Sequence, residues 1–306
     1  MPVAADIEGF HREQAQVARD LYSAGISNIE AAKVWRATRS DLRSKAANTL
    51  SATAWLSDIE GAICASAAHI SVLRRLMAPP MSQDQFSLLC AQYSKGRENA
   101  GGSVAPEKAK AISKIILDWR DRELTKWLDE RRGPTDSEVE MATESLALLM
   151  AAQSAVTNQR TLAAATQERA AIELLASKGW TKKSAPLITQ SAQLSVREFM
   201  HKTRFATKTA SQEVDIACGL GGSGVILAME CKVTNDATNS VKRINDILKK
   251  AKAWQDHWGN FVRTGALLQG VIAYKDVHRL LDDDVVVFWS HSLADFSDWL
   301  DANVAK

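Results

Sequence analysis

The stretch Glu213-Val-Asp-Ile-Ala-Cys-Gly-Leu-Gly-Gly-Ser-Gly-Val-Ile-Leu-Ala-Met-Glu-Cys-Lys232 reads as two apolar runs joined by a glycine-rich turn. Each run carries two charged residues two positions apart, namely Glu213 and Asp215, then Glu230 and Lys232. In a strand, residues i and i+2 point to the same face. A β-hairpin over this stretch therefore brings the two charged pairs together, and its glycines supply the positive φ angles that a reversal needs.

The residue types in this hairpin favour phosphate chemistry. Charged side chains in apolar strands are costly unless they pair or bind a metal. Two carboxylates beside a lysine suit a hard cation with oxygen ligands, such as Mg²⁺. In such a site the cation polarises the phosphate and lowers the pKa of the attacking water, and the lysine orients that nucleophile. We therefore predict Asp215 and Glu230 as metal ligands and Lys232 as the catalytic lysine.

The plain alternative is a hairpin with a solvated, charged end. An acid-x-Lys triplet is by itself a weak signal, because both residue types are common. However, Glu230-Cys-Lys232 is the only such triplet in the chain, and it ends the most apolar strand-like run of the C-terminal half. The functional interpretation is favoured for that reason.

Asp215, separated by 14 residues from Glu230-Cys231-Lys232, resembles the active-site pattern of the PD-(D/E)XK nucleases. The segment that follows, residues 233–245, is similar to the XamI-like type II restriction endonucleases. The resemblance covers the C-terminal half, and Val214 stands where the superfamily pattern has proline. It implies a Mg²⁺-dependent nuclease that cuts double-stranded DNA at a short palindrome as a homodimer. A cognate DNA methyltransferase is the expected genetic partner, because the host DNA needs protection.

Two further residues have candidate roles in this centre. Glu168 lies on a predicted amphipathic helix, Thr166–Lys178, and its placement resembles an additional active-site glutamate of some of these nucleases. An exposed helical glutamate is an equal alternative. Cys231 lies between two inward-facing charged residues, so we expect its side chain to face the core. Its backbone carbonyl could still reach a metal.

The segment after the second strand, Thr234–Lys252, is the predicted DNA-facing element. Short polar side chains near a helix N-terminus suit phosphate contacts, because free N–H groups and the helix dipole attract anions. Basic side chains add affinity by releasing counterions. A capped surface helix is the alternative. The candidate DNA contacts are Asn235, Asn239, Ser240, Lys242 and Arg243.

The order of elements in residues 161–306 predicts an α/β fold: a PD-(D/E)XK restriction-endonuclease-like core with a mixed sheet flanked by helices. Strands are predicted over 199–207, 213–218, 225–233, 266–274 and 285–289, and helices over 166–178, 240–258 and 293–303.

Residues 1–160 are alanine-rich with apolar residues at helical spacing, which predicts a large helical N-terminal region. Its role stays open between a DNA clasp, a dimerisation surface and a scaffold. Arg36, Arg39 and Arg43 share one helical face, so they are the best basic patch of this half. Helices are predicted near 5–23, 28–48, 51–77, 82–93, 105–131 and 136–177, with a loop over 95–104.

Composition narrows the function classes. Apolar content of 46%, charged content of 24% and a net charge of +2 are typical of a globular protein, and any basic surface must be local. Four cysteines without metal-ligand spacing argue against a disulfide framework. Acidic residues near the N-terminus and the absence of a membrane-length apolar run favour the cytoplasm and no membrane association.

Three alternatives to a restriction enzyme remain. A methyl-directed nuclease or a repair or junction nuclease uses the same core, because the motif reports the chemistry and not the target. A non-catalytic DNA-binding protein on this fold would be expected to carry a broken motif, whereas all three residues are intact here. A helical interaction protein explains the N-terminal half but not the charged hairpin.

Overall fold

The computed structural model describes residues 7–26, 29–222 and 224–305. These form two compact units. The helical unit consists of residues 29–157, and the sheet unit combines the described residues of 1–28 with those of 158–306. The predicted helix ends at residues 5, 6 and 28, and Ser223 in the predicted turn, lie outside the described residues. The functional division at residues 160 and 161 stays a prediction.

In chain order the helices are α1 Ile7–Ile26, α2 Ile29–Ala52, α3 Ile59–Ala65, α4 Ile70–Leu73, α5 Gln83–Leu89, α6 Lys95–Ala100, α7 Pro106–Asp118, α8 Lys126–Asp129, α9 Asp136–Ser177, α10 Ala237–Trp258, α11 Tyr274–Asp282 and α12 Leu293–Asn303. The strands are β1 Thr181–Lys183, β2 Glu198–Phe205, β3 Gln212–Gly221, β4 Val225–Thr234, β5 Val262–Gly270 and β6 Val285–Trp289.

The strands form one mixed sheet in the order β1-β2-β3-β4-β5-β6. The pairs β2–β3 and β3–β4 are antiparallel, which confirms the predicted three-strand meander. The pairs β1–β2, β4–β5 and β5–β6 are parallel. The central strand β4 is buried over most of its length, as expected for a strand that reads as a continuous apolar run.

Helices cover both faces of the sheet, so the chain has the α/β architecture that the sequence predicted. One core cluster joins α9 and α12 to the sheet through Leu175 and Trp299, among others. The clusters on the other face join α1, α10 and α11 to it through Ala18, Ile247 and Val277. The location of α1 in the sheet unit was not predicted, because its amphipathic pattern does not identify its partner.

The glycine-rich turn has the backbone that the sequence called for. Gly221, Gly222 and Gly224 have φ angles of 80°, 65° and 85°, which favour glycine because a Cβ is strained there. Gly219 is needed for a different reason. A Cβ at this position would lie 2.0 Å from the carbonyl oxygen of Ser195, so the adjoining chain can approach the strand only if this residue is glycine.

In the helical unit, several long predicted helices are broken. The predicted helix over 51–77 is interrupted by a turn in which Ala54, Trp55 and Leu56 all have positive φ. The predicted helix over 105–131 ends at Asp118 and resumes only as α8. Helical spacing of apolar residues continues across these breaks, since a turn packed on the same core preserves the spacing.

The sequence did not predict α6, β1 or α11. Residues 95–100 of the predicted loop form α6, which Ser94 caps and left-handed Gly101 ends. The short strand β1 was not predicted. The predicted strand over 266–274 is displaced towards the N-terminus, because β5 ends at Gly270 and Tyr274 begins α11. None of the described helices is long and apolar enough to span a membrane.

Two of the three arginines of the basic patch on α2 are paired with acids of the helical unit. Arg39 donates a hydrogen bond of 2.6 Å to Glu144, and Arg43 donates hydrogen bonds to both Glu140 and Glu144. Arg39 and Arg43 are therefore balanced by nearby acids, whereas Arg36 donates to the backbone carbonyl of Ala32.

One buried ion pair stabilises the helical unit. Arg74 Nη2 and Glu98 Oε1 lie 3.1 Å apart, and both side chains are almost inaccessible to solvent. Glu98 also accepts hydrogen bonds from the Tyr93 hydroxyl at 2.6 Å and from Gln83 Nε2 at 2.8 Å. Arg74 further donates to the Met81 carbonyl. Every polar atom of the carboxylate therefore has a partner, as a buried charge requires.

Candidate active site

The antiparallel β3–β4 hairpin brings the three motif residues together. The backbone N–H of Cys231 donates a hydrogen bond of 2.8 Å to Asp215 Oδ2. Lys232 Nζ donates one of 2.5 Å to Glu230 Oε2 and lies 3.8 Å from Asp215 Oδ2. Glu213 does not join them, because its side chain is exposed and only its carbonyl oxygen contacts this group, through Lys250.

Glu230 is the buried carboxylate of the group, with no exposed surface. Lys250 on α10 donates to both of its oxygens, at 2.9 Å each. Burial raises the pKa of Glu230, and the nearby negative charge of Asp215 raises it further, against the opposing effects of Lys232 and Lys250. The carboxylate therefore lies in a position where negative charge is only partly compensated.

Lys232 lies among three carboxylates. Besides Glu230 and Asp215, its Nζ is 3.6 Å from Asp246 Oδ2 on α10. Burial by itself lowers the pKa of Lys232, but the carboxylates of Glu230 and Asp215 outweigh burial, and the net pKa is raised. The lysine is therefore held as a cation and acts as a hydrogen-bond donor rather than as a base.

Glu168 faces the same end of the sheet but is bound by other partners. It accepts hydrogen bonds of 2.8 Å from His201 Nε2 and 2.9 Å from Lys202 Nζ, both on β2. Lys202 has a φ of 52°, a left-handed conformation that allows two consecutive strand residues to reach one carboxylate. Burial raises the pKa of Glu168, but His201 and Lys202 outweigh it, so the net pKa is lowered.

The two strand cysteines lie in the core, as the alternation predicted. The side chains of Cys218 and Cys231 both belong to the cluster beneath α9 and α12. Burial raises the pKa of each thiol, and the charge of Asp215 adds to the effect at Cys231. Both are thus neutral packing residues, and the backbone carbonyl of Cys231 stays a predicted metal ligand.

The donor set fits Mg²⁺. Oxygens of Asp215 and Glu230 lie 3.8 Å and 2.5 Å from the same Lys232 Nζ, and a cation held by both residues would relieve the repulsion between the two carboxylates. Among the described residues, no group of three or more His, Cys, Asp or Glu side chains forms a complete metal cage. Mg²⁺ does not need one, because it keeps several waters and binds through one or two carboxylates and the substrate phosphate.

The predicted DNA contacts differ in accessibility. Asn235 and Arg243 are half-buried, whereas Asn239 and Lys242 are exposed. Ser240 is fully buried, and its hydroxyl donates a hydrogen bond of 3.2 Å to Asp276 Oδ2. Its side chain is therefore a packing contact between α10 and α11 and does not face DNA.

The N-terminus of α10 also differs from the prediction. Asp236 caps the helix, because its side chain accepts a hydrogen bond of 2.8 Å from the backbone N–H of Asn239. A negative cap already satisfies part of the free donors that were expected to bind phosphate. The side chains of α10, and not its N-terminal N–H groups, are therefore the candidate phosphate contacts.

One stripe of α10 leads from the helix start into the centre. Asn239, Arg243, Asp246 and Lys250 are spaced by four, three and four residues, which places them on one helical face. Asp246 and Lys250 contact Lys232 and Glu230. Arg243 and Asn239 therefore continue this face away from the motif residues.

Sequence reasoning missed Lys250, Asp246, His201 and Lys202. Lys250 was expected only as a basic side chain of the DNA-facing segment Thr234–Lys252, although its position on the stripe with Asp246 and Arg243 is a usable signal. His201 and Lys202 lie on the predicted first strand beside the hairpin. The left-handed residue that turns both towards Glu168 leaves no mark in the sequence.

The chain is similar to known restriction enzymes. The family model described as XamI restriction endonuclease matches residues 54–289. The Type II restriction enzyme XamI of Xanthomonas campestris pv. amaranthicola is 28% identical over 192 residues, which cover 61% of this chain and 66% of that enzyme. The match thus spans slightly less than two thirds of the relative's length.

Among solved structures, protein VC1899 from Vibrio cholerae aligns with 92% of this chain and 59% of its own, at 9% identity and a TM-score of 0.32. That score is too low to support a statement about fold. The family match, in contrast, covers most of the chain and includes the hairpin, β5 and most of the helical unit. The resemblance drawn from Asp215 to residue 245 is confirmed: the chain belongs to the XamI restriction endonuclease family.

Proposed function

We propose that the protein is a type II restriction endonuclease with a PD-(D/E)XK core, which hydrolyses double-stranded DNA at a short palindromic site with Mg²⁺. The observation that carries the proposal is the Lys232–Glu230 contact of 2.5 Å beside Asp215 on one hairpin. A structural ion pair needs one acid for one base, whereas this lysine lies among three carboxylates. The surplus of acid suits a cation.

In this proposal Asp215 and Glu230 hold Mg²⁺, with the Cys231 carbonyl as a further ligand. When bound, the ion neutralises charge on the scissile phosphate and lowers the pKa of the attacking water. The N–H of Cys231 fixes Asp215 in place. Lys232, held as a cation by its neighbours, orients the nucleophile and donates a hydrogen bond to the phosphate oxygen on which negative charge builds up.

We propose that Glu168 has a positioning role. Its carboxylate is bound by His201 and Lys202 and makes no hydrogen bond or ion pair with Asp215, Glu230 or Lys232 among the described residues. It contributes negative charge near Cys231, at the back of the centre. Protein groups around a metal site commonly hold its ligands in orientation in this way.

DNA would lie along the α10 stripe. Arg243 and Lys242 form no ion pair with any described residue, so their charges are available to phosphate. Asn235 and Asn239 lie between these residues and the end of β4 and can donate to the backbone next to the scissile bond. Ser240 takes no part, because its side chain is buried.

The proposed assembly is a homodimer. One such centre cuts one strand, and a two-fold axis places two equivalent centres on the antiparallel strands of a palindrome. A cognate DNA methyltransferase would protect the host. For the helical unit we favour a scaffold role, since Arg39 and Arg43 are already paired with glutamates.

Digestion of plasmid and phage DNA tests this function. With Mg²⁺ we expect discrete double-strand fragments whose ends fall at one fixed sequence, and none with excess chelator. Ca²⁺ should support binding without cutting, because a larger ion with flexible coordination holds the reacting groups in a non-productive geometry. Light scattering on the DNA complex should give a dimer.

A random smear of products from a strict monomer would instead favour a non-specific repair nuclease. Cutting only of methylated DNA, or only of branched DNA, would favour the methyl-directed or junction alternative. Efficient cutting in excess chelator would contradict the proposed centre itself.

A further inference from the structure

Lys250 makes a contact that the proposed chemistry does not use. Its Nζ donates to both oxygens of Glu230 at 2.9 Å and also to the carbonyl oxygen of Glu213 at 3.2 Å. The side chain is only 15% exposed, although α10 is an amphipathic surface helix. The lysine has therefore been brought inward to reach one particular carboxylate.

Lys250 and Lys232 together occupy the oxygens of Glu230. Oε1 accepts from Lys250, and Oε2 accepts from Lys250 and Lys232. A cation ligand needs a free lone pair directed at the ion. The three hydrogen bonds use three of the roughly four lone-pair sites of the carboxylate, and both ammonium groups repel a second cation. A divalent cation that binds Glu230 must therefore compete with the lysines.

Of the two lysines, Lys250 is the one free to leave. Lys232 has three carboxylates around it, whereas the only acidic partner of Lys250 among the described residues is Glu230. Lys250 also extends from a helix on a flexible four-carbon stem, with three donors that can be reused elsewhere. Its departure would expose one carboxylate and take away one positive charge.

We propose that Lys250 is a stand-in for the cation. It neutralises Glu230 while the centre is empty of metal, and a divalent cation must compete with it for that carboxylate. The inference rests on the proposed function, because it takes Glu230 to be a metal ligand. It explains how a fully buried glutamate next to Asp215 is tolerated in the free protein, where an unpaired buried charge would be strongly destabilising.

The test is calorimetric titration of Ca²⁺ into the full-length protein without DNA. Removal of the competing lysine in K250M should lower the dissociation constant roughly tenfold, which is the scale of one charge-assisted hydrogen bond. K250R keeps the charge and can bind both oxygens of Glu230, so it should bind Ca²⁺ no more tightly than the wild type. The matched control is K249M, which removes the same charge from the exposed neighbour and should change the constant by less than about twofold.

The double variant E230Q/K250M identifies the carboxylate involved. Since Lys250 competes only for Glu230, K250M should give no gain of Ca²⁺ affinity in the E230Q background. Melting temperatures give a second readout, because a cation that binds only the folded state stabilises it more when it binds more tightly. The rise in melting temperature on adding Ca²⁺ should be larger for K250M than for the wild type or K249M. K250Q should behave like K250M and serves if the latter does not fold.

The inference is overturned if K250M or K250Q binds Ca²⁺ no more tightly than K249M, or if the gain persists without Glu230. Failure of the proposed function has a different signature, in which the wild type neither cuts DNA with Mg²⁺ nor binds Ca²⁺. If the wild type cuts DNA specifically but K250M binds Ca²⁺ with the same affinity as the wild type, the proposed function stands and only the role of Lys250 is removed.

Discussion

Glu98 and Glu230 are both buried glutamates, one in the helical unit and one in the sheet unit, and they are satisfied in different ways. Glu98 is bound by the rigid guanidinium of Arg74, the hydroxyl of Tyr93 and the amide of Gln83. Glu230 is bound by two flexible lysines and lies beside the like charge of Asp215.

This difference separates a structural ion pair from a functional one. A planar guanidinium, together with neutral hydrogen-bond donors, neutralises a buried carboxylate in one fixed arrangement. The lysines at Glu230 have flexible side chains that can change partners. The neighbouring charge of Asp215 leaves the negative charge of Glu230 only partly neutralised. The comparison indicates that buried charge alone does not identify a site, whereas a cluster with surplus acid and exchangeable donors does.

The largest effect is expected from Glu230→Gln. The substitution keeps the shape of the side chain but removes the charge that would hold Mg²⁺, and we expect cleavage to fall at least about a thousandfold, equivalent to roughly 4 kcal/mol of activation free energy. Single-turnover cleavage of a plasmid with one site measures this loss. The matched control is Glu98→Gln, for which the cleavage rate of the folded fraction should stay within about threefold of the wild type. Similar losses in both variants would contradict the distinction.

The free energy of unfolding should depend strongly on the Arg74–Glu98 pair of the helical unit, which has no expected role in cleavage. Arg74→Met leaves Glu98 buried without its cation, and removing one partner of a buried pair costs about 3–5 kcal/mol. Urea denaturation followed by circular dichroism measures this change in the free energy of unfolding. The double variant R74M/E98L, which removes both charges, should recover much of the loss. An R74M protein as stable as the wild type would show that the pair is not structural.

The smallest effect concerns the ion pair between half-exposed Arg132 and buried Glu138 in the helical unit. Arg132 and Thr135 hold the pKa of Glu138, in the first turn of α9, at about 2. Because this folded-state pKa is depressed, the stabilisation is complete above the ordinary glutamate pKa, about 4.5, and is lost as the pH falls towards 2. The melting-temperature difference between wild type and E138Q should therefore be present at pH 7 and vanish near pH 2. A difference that is constant with pH would rule out this linkage.

The sequence predicted the meander, the hairpin and the union of Asp215, Glu230 and Lys232, because strand alternation and glycine turns are local rules. It did not predict α11, the breaks in the helical region or the inward position of Lys250. Those features depend on tertiary packing, as does the burial of Ser240, whose polar side chain lies on the buried face of α10 against Asp276. The left-handed backbone at Lys202 is equally invisible in the pattern of residues.

The most direct test of the proposed centre is cleavage by the Lys232→Ala protein under single-turnover conditions. Enzyme in excess over plasmid DNA, with Mg²⁺, removes differences in turnover, and DNA binding in Ca²⁺ with circular dichroism checks that the variant is folded and still binds. We predict binding close to that of the wild type and no cleavage above the chelator background. Cleavage by this variant at a rate within about tenfold of the wild type would contradict the assignment of Lys232, and with it the centre formed by Asp215, Glu230 and Lys232.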